Sequence, residues 1–311
     1  MLDVTRLRVL VAVARHGSVT AAARALNYAQ PSVSHHLARL EAETGTQLTE
    51  RSGRGIRLTG AGRLLAARAE EILGRLEAAE EELAAQVAPP MPQVRLAAFR
   101  SALATIVPGA AARLRAEHPG TRLLLTEAEP AEAARLLAAG QADVALATRY
   151  LQDGAAVYES SPVTGSGSAR LILSEPVLLV TAGDEAAGAG STPALAGGGA
   201  AGLLTALRQL PWIAGSADSR GYLLWACERA GFSPRIAAAT DDHVAAQALV
   251  AAGLGVTILP ELALRAARHP GITPLPLPGA SRQVLALTCA GPPAPAAVGQ
   301  LLGVLAGAGQ A

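Results

Sequence analysis

Gln30, Ser32, Ser34, His35 and Arg39 place amide, hydroxyl, imidazole and guanidinium groups within ten residues. Val33, Leu37 and Leu40 interleave with them at helical spacing. On a wheel of about 100° per residue, His35 points directly away from that apolar stripe, with Ser32, Ser34, Ala38 and Arg39 around it. His36 falls on the shoulder of the buried face. Small polar groups on the outer face of a helix reach base edges in a major groove without clashing. Pro31 suits the first position of such a helix, because its missing N–H would have no partner there. Downstream, Arg51 and Arg54 stand in Arg51-Ser52-Gly53-Arg54-Gly55, between the strand candidates Gln47-Leu48 and Ile56-Arg57-Leu58. Glycine allows a tight turn, and guanidinium groups on it reach phosphates or a minor groove. Each residue taken singly is an ordinary surface or loop residue; their order along the chain points to nucleic acid.

The elements that must hold these groups are legible. Leu7, Leu10, Val11 and Ala14 recur at helical spacing and predict a first helix of about four turns. Gly17 ends it, and Ser18 can cap a second helix through Ala21-Ala22-Ala23 to Leu26. Asn27-Tyr28-Ala29 turns the chain into the third helix.

The charge distribution agrees. The chain has 311 residues and a formal net charge of +1, and all 26 of its basic residues other than histidine are Arg. Residues 1–68 hold ten Arg against four acidic residues; residues 69–86 hold Arg75 against six Glu; the remaining 225 residues are neutral. A basic head, an acidic neck and a neutral body are averaged into near-neutrality, and a basic block in one small domain is a footprint for a polyanion. Half of the residues are hydrophobic and only Cys227 and Cys289 are present, which excludes low-complexity disorder and a disulfide scaffold. The N-terminus lacks a signal-peptide pattern, and the longest apolar run, Val244 to Pro260, is too interrupted to span a bilayer. A cytoplasmic protein without a membrane partner is expected.

The stretches Gly17-Ser18-Val19-Thr20-Ala21-Ala22-Ala23 and Gln30-Pro31-Ser32-Val33-Ser34, then Leu40-Glu41, Gly45, Leu48, Arg51 and Leu58-Thr59-Gly60-Ala61-Gly62, closely resemble the N-terminal domain of LysR-type transcriptional regulators. Two positions depart from the family pattern, which usually has Ser at Ala29 and Phe at Thr49. The first departure removes a phosphate or cap contact; the second alters packing beneath the wing. The resemblance implies an α/β chain in three parts. These are a winged helix-turn-helix over 1–58, a linker helix over 59–88 with a hinge at 89–92, and a two-lobed α/β effector domain over 93–311, similar to type 2 periplasmic binding proteins. It makes Gln30 to Arg39 the recognition helix, with Gln30, Pro31, Ser32, Ser34, His35 and Arg39 at the DNA. Thr20 would contact phosphate, and Arg51 and Arg54 would serve the wing. The DNA is expected to be double-stranded promoter sequence in the nucleoid, with RNA polymerase as a further partner.

In the neck, Leu65, Ala69, Ile72, Leu76, Ala79 and Leu83 are spaced 4, 3, 4, 3 and 4, a seam of nearly three heptads capped by Thr59. A helix this long with six Glu on its outer positions needs a partner to bury the seam, so pairing into a homodimer or homotetramer is expected, as in the family's linker helix. The alternative is one amphipathic helix lying on its own globule. Pro89-Pro90-Met91-Pro92 ends it.

From Gln93 short apolar strands alternate with Ala-rich helices, which predicts βαβ repetition and a parallel sheet. Strands are expected at 94–98, 123–126, 144–147, 177–181, 212–214, 235–239, 256–259, 273–277 and 284–288. Helices are expected at 101–117, 131–139, 221–230, 243–252 and after Pro295. Gly183–Gly202 reads as a loose loop. By the resemblance, lobe I takes about 93–160 and 269–311, and lobe II about 161–268. An effector would sit between them at strand C-termini, where helix N-termini favour anions, so an organic anion is among the candidates. The cleft candidates are Arg100, Ser101, Thr148, Arg149, Gly215, Ser216, Thr240 and Asp241.

Two other classes stay open. An enzyme on the α/β body finds no GxSxG, Walker loop, GxGxxG or metal-ligand spacing, and no cofactor is expected. A thiol redox sensor would use Cys227 and Cys289, which lack a CxxC arrangement and a basic cluster beyond Arg229.

Overall fold

The computed structural model describes residues 2–52, 55–87, 92–159, 167–183, 199–289 and 295–309. Two compact units emerge, one from Met1–Pro90 with Ala138–Gln141 and one from Met91–Leu137 with Ala142–Ala311.

The first unit begins with helix α1 (Val4–His16), where Asp3 Oδ1 accepts from Arg6 N at 3.1 Å and Gly17 ends the helix in the left-handed region. Ser18 Oγ accepts from Ala21 N at 3.1 Å and opens α2 (Val19–Ala25). Helix α3 (Gln30–Thr44) runs beyond the expected Gln30–Arg39 and stops at left-handed Gly45. Ala29 stands at its N-cap without a side-chain bond, so the family's usual serine cap has no counterpart here. Leu7, Leu10, Val33, Leu37, Leu40 and Leu48 meet in one core. Ala14, expected in the first apolar stripe, is exposed; Val9 and Val13 are buried instead, because α1 is covered on more than one side.

The wing is an antiparallel pair, β1 (Thr49–Ser52) and β2 (Gly55–Leu58). The expected strand at Gln47-Leu48 is thus displaced towards the turn. Glu41 Oε1 accepts from Leu48 N at 2.8 Å, Thr49 N at 2.9 Å and Thr49 Oγ1 at 3.0 Å, while Leu48 O accepts from Thr59 N at 3.0 Å. The backbone of Leu48 is committed before the ladder starts. Thr49, in place of the family's phenylalanine, gives its hydroxyl to this carboxylate.

Helix α4 (Gly60–Val87) starts where Thr59 Oγ1 accepts from Gly62 N at 3.0 Å. The expected seam divides. Ala69, with Ala66 and Leu73, enters the core of this same unit and Leu65 packs against it, whereas Ile72, Ala79 and Leu83 are exposed and Leu76 is half-buried. Only the first heptad of the seam, Leu65 and Ala69, is taken by the helix's own globule, because α1 lies along it. Except for Pro92, the expected hinge lies outside the described residues.

In the second unit come β3 (Gln93–Ala98), α5 (Arg100–Leu103), α6 (Ile106–Glu117), β4 (Arg122–Glu127), α7 (Pro130–Ala138), β5 (Val144–Gln152), β6 (Ala155–Glu159) and β7 (Ser168–Ala182). Then follow α8 (Gly199–Ala206), β8 (Pro211–Ala214), α9 (Ala217–Arg229), β9 (Arg235–Ala239), α10 (His243–Ala251), β10 (Thr257–Pro260), α11 (Glu261–Ala266), β11 (Ile272–Thr288) and α12 (Ala296–Ala308). The large sheet runs β10-β7-β11-β5-β3-β4, with β6 on β5; β8 and β9 pair separately. The β3–β4, β3–β5 and β8–β9 pairs are parallel, as βαβ repetition predicts. The β5–β11, β11–β7 and β7–β10 pairs are antiparallel, so the sheet is mixed rather than parallel.

Strands β7 and β11 are long because each crosses from one lobe to the other. Ile172 and Leu173 pack in the lobe I core with Leu96 and Val284, whereas Val177, Leu179 and Leu277 pack in the lobe II core with Trp212 and Tyr222. The lobes therefore exchange chain inside these strands, near 174–176 and 278–283, and not at the expected 160/161 and 268/269. The two strands expected at 273–277 and 284–288 are one, with a register shift between Pro276 and Ser281. Within the expected Gly183–Gly202 loop, helix α8 begins at Gly199 and buries Leu203 and Leu204; residues 184–198 lie outside the described residues.

Candidate functional site

The head presents one polar helix face. Val33, Leu37 and Leu40 are at most 4% exposed, and Gln30, Pro31, Ser32, Ser34, His35 and Arg39 are all exposed. Three apolar positions anchor α3 and turn the rest outward. His36 is half-buried, its ring 6.0 Å from that of Tyr28. Thr20 is exposed in the first turn of α2. Arg51 is in β1; its side chain, and Arg54 altogether, lie outside the described residues.

Ion pairs thin the basic field of this unit. Arg6 pairs with Glu43, Arg15 with Glu70, Arg57 with Glu50 and Arg68 with Glu71. Among the described residues Arg8, Arg24, Arg39 and Arg63 make no ion pair, Arg63 donating instead to Leu58 O. Arg24, exposed near the end of α2, was not singled out from sequence; counting acids within reach of each Arg would have found it.

In the second unit, one rung of the sheet crosses the point where the lobes meet. Glu175 on β7, Arg282 on β11 and Tyr150 on β5 are direct cross-strand neighbours, none more than 4% exposed. Arg282 donates to Glu175 Oε1 through Nε at 2.8 Å and Nη2 at 2.5 Å, and through Nη2 to Ser101 Oγ at 3.2 Å; its guanidinium sits 5.1 Å above the Phe99 ring. Glu175 Oε2 accepts from Leu262 N at 2.6 Å. Tyr150 shares a 3.2 Å hydrogen bond with Ser219 of α9, and one rung along, Thr148 Oγ1 lies 3.5 Å from Asp218 Oδ2. Burial pushes the Tyr150 hydroxyl pKa up.

Of the eight expected cleft residues, Ser101 and Thr148 join this network. Ser216 is 7% exposed, makes no cap bond to α9, and its hydroxyl bonds Glu129. Gly215 precedes it, with room beside its backbone filled by Ser219. Arg100 is exposed and donates to Glu127 Oε1 at 2.7 Å, a bond that raises the guanidinium pKa, with smaller contributions from Glu129 and Asp241. Thr240 Oγ1 accepts from Asp242 N at 3.2 Å and starts the turn into α10. Arg149 does not belong to the group. Strand alternation puts it on the face opposite Thr148 and Tyr150, where it pairs with Glu159 at 2.7 Å.

Sequence reasoning missed Glu129, Asp218, Ser219, Glu175 and Arg282. Glu129 follows the second strand of the sheet, a C-terminal end that the strand rule covers. Glu175 and Arg282 are opposite charges interrupting apolar strands, a signal for a buried pair. Glu129 is held above the usual carboxylate range, first by burial and then by Asp218 and Asp241, against the bond from Ser216.

His243, at the start of α10, has its pKa lowered to about 4 by burial, with Arg282 and Arg100 adding to this and Asp242 and Asp241 opposing it. The folded value lies below the unfolded one, so the unfolded chain binds the extra proton between about pH 6.5 and pH 4. Stability is full above that window and falls as the pH drops through it, by at most about 3 kcal/mol. We expect a His243→Gln variant to lose less stability than wild type between pH 7 and pH 4.5 in urea titrations; parallel curves would contradict this.

Among the described residues no group of His, Cys, Asp or Glu could hold a metal ion, and no helix is long and apolar enough to cross a membrane. The cysteines do not form a redox pair. Cys227 is fully buried in the lobe II core with its thiol pushed up to about 12 by burial, whereas Cys289 is exposed beyond β11 and bonds Leu137 O at 3.3 Å.

Residues 4–63 match the family described as bacterial regulatory helix-turn-helix protein, lysR family, and residues 88–310 match the LysR substrate binding domain. The chain is 28% identical over 265 residues to the HTH-type transcriptional regulator ClcR of Pseudomonas putida, covering 84% of this chain and 83% of that one. It is 29% identical over 289 residues to TfdS of Cupriavidus pinatubonensis, covering 91% and 90%. In fold it is similar to CbnR, a LysR family transcriptional regulator, with a TM-score of 0.63, 21% identity and 99% of both chains covered. It is also similar to full-length CbnR complexed with target DNA, with a TM-score of 0.61, 22% identity and coverage of 99% and 100%. With a winged head whose third helix turns its polar face outward and a two-lobed body matched end to end, the chain belongs to the LysR family of DNA-binding transcriptional regulators, with an effector-binding domain.

Proposed function

We propose that α3 enters the major groove and reads base edges with Gln30, Ser32, Ser34 and His35, while Thr20, Arg39, Arg51 and Arg54 hold phosphates. The observation that carries this is the exposed row of Gln30, Ser32, Ser34, His35 and Arg39 opposite fully anchored Val33 and Leu40. The exposed stripe of Ile72, Ala79 and Leu83 on α4 is the surface we assign to pairing with a second copy, which sets two heads at half-site spacing in a dimer or a tetramer. A small molecule held between the lobes by Ser101, Thr148, Ser216 and their neighbours shifts the population between lobe arrangements. The output is altered promoter geometry, read by RNA polymerase on the nucleoid, and the chain acts by binding rather than by catalysis.

The test is a salt titration on promoter DNA with two variants. His35→Ala is expected to change preference between base sequences by about 1–3 kcal/mol at one position. Arg39→Ala weakens all sequences alike and lowers the salt slope by about one. If wild type has no sequence preference, or neither variant changes binding, the assignment of α3 fails.

A further inference from the structure

The turn between α2 and α3 is fixed by its own backbone. Asn27 stands in the left-handed region at φ 55°, Leu26 N donates to Ala22 O at 2.9 Å and Tyr28 N to Ala23 O at 2.8 Å. Asn tolerates that region better than most side chains do, so the path of the next residue is set before any ligand arrives. Tyr28 is 41% exposed, and its hydroxyl has no hydrogen-bond partner among the described residues. Its ring is nevertheless held. The centroid lies 6.0 Å from that of His36, tilted by 33°, and the His36 ring lies 6.2 Å from that of His35. Three rings thus run from the turn to the centre of the polar face of α3, with half-buried His36 in the middle. A held aromatic body with a free hydroxyl at its tip loses little freedom when that hydroxyl is used, which suits a contact made only on binding.

The place of that hydroxyl decides what it meets. His35 points opposite the buried stripe of Val33, Leu37 and Leu40, so with α3 in a major groove it faces the floor, where the base edges are. Tyr28 stands two ring steps to one side, of 6.2 Å and 6.0 Å, and precedes the entering helix. The groove is about 12 Å wide, so a group displaced that far from its centre meets a wall of sugar and phosphate. Tyrosine hydroxyls are ordinary donors to phosphate oxygens. The next residue, Ala29, has no hydroxyl and stands at the N-cap of α3 without a side-chain bond. We propose that the Tyr28 hydroxyl donates to a phosphate oxygen at the edge of the groove, with the His36 ring as the group that positions it. The assignment rests on the reading of α3 as the recognition helix. It makes Tyr28 a contact that adds affinity and register without reading sequence.

The test uses the full chain and a DNA duplex that it selects from a random-sequence pool. Tyr28→Phe keeps a ring against His36 and removes only the hydroxyl, so its urea unfolding should match that of wild type. We expect binding to weaken about tenfold, alike on the selected duplex and on single-base variants of it. The salt slope should stay unchanged, because a neutral donor releases no counterion, in contrast to Arg39→Ala. Methylphosphonate placed at one phosphate at a time then locates the partner: at one position it should cost wild type about tenfold more than it costs Tyr28→Phe. A Tyr28→Phe variant that binds as wild type does, while Arg39→Ala still weakens binding, overturns the Tyr28 contact and leaves α3 in the groove. A loss confined to particular base sequences overturns it too, as does a scan in which no phosphate distinguishes the two proteins. If the chain selects no duplex, the reading of α3 fails and the Tyr28 contact with it.

Discussion

Replacing Arg282 with alanine is expected to destabilise the effector-binding unit by about 3–5 kcal/mol, a loss of about 10 °C in its Tm. Arg282 and Glu175 are each 4% exposed, and the guanidinium is the counter-charge for a carboxylate on the neighbouring strand. Without it Glu175 keeps its bond from Leu262 N but stays charged and desolvated, and Ser101 and Tyr150 lose the group they pack around. The size of this effect measures the cost of an orphaned charge, not the worth of the pair. A double variant, Arg282→Met with Glu175→Leu, is therefore expected to regain most of the loss. Thermal or urea unfolding checks both. A single variant within 1–2 °C of wild type would show that water reaches the rung and that the pair is not buried.

Gly62→Ala is expected to remove promoter binding through the fold of the head. A Cβ at Gly62 would lie 2.0 Å from Leu48 O, a backbone atom already accepting from Thr59 N. No side chain can swing aside, so α4 must move away from the base of the wing. We expect a cost of about 1–3 kcal/mol and misplacement of the β1–β2 turn. Gly60→Ala is the control: nothing lies within 4 Å of its added methyl, and alanine favours the helix. Denaturation curves and promoter shift assays on both variants decide the matter, since equal behaviour would mean that the close approach at Gly62 carries no weight.

The Leu58-Thr59-Gly60-Ala61-Gly62 motif illustrates how much was readable in one dimension. Thr59 was expected to cap the long helix and does so, because capping depends on residues three apart. That Gly62 must be glycine depends on Leu48, fourteen residues away and folded back by Glu41. The seam of α4 divides for a related reason. Heptad spacing marks which residues share a face, but not whether that face meets another chain or α1 of its own head, and Ala69 does the latter.

Local order was written plainly. The polar face of α3, the turns at Gly17 and Gly45, and most strand and helix positions follow from spacing and turn residues, since each involves neighbours within about four positions. So does the family, whose head is contiguous in sequence. The tertiary structure alone decided which strands lie side by side. Glu175, Arg282 and Tyr150 are separated by 25 to 132 residues, and only the order β7-β11-β5 brings them to one rung. It also decided which of two adjacent residues turns towards α9, with Thr148 at Asp218 and Arg149 on the opposite face at Glu159. Those are long-range events of chain closure, where burial and charge act between residues that no local period connects.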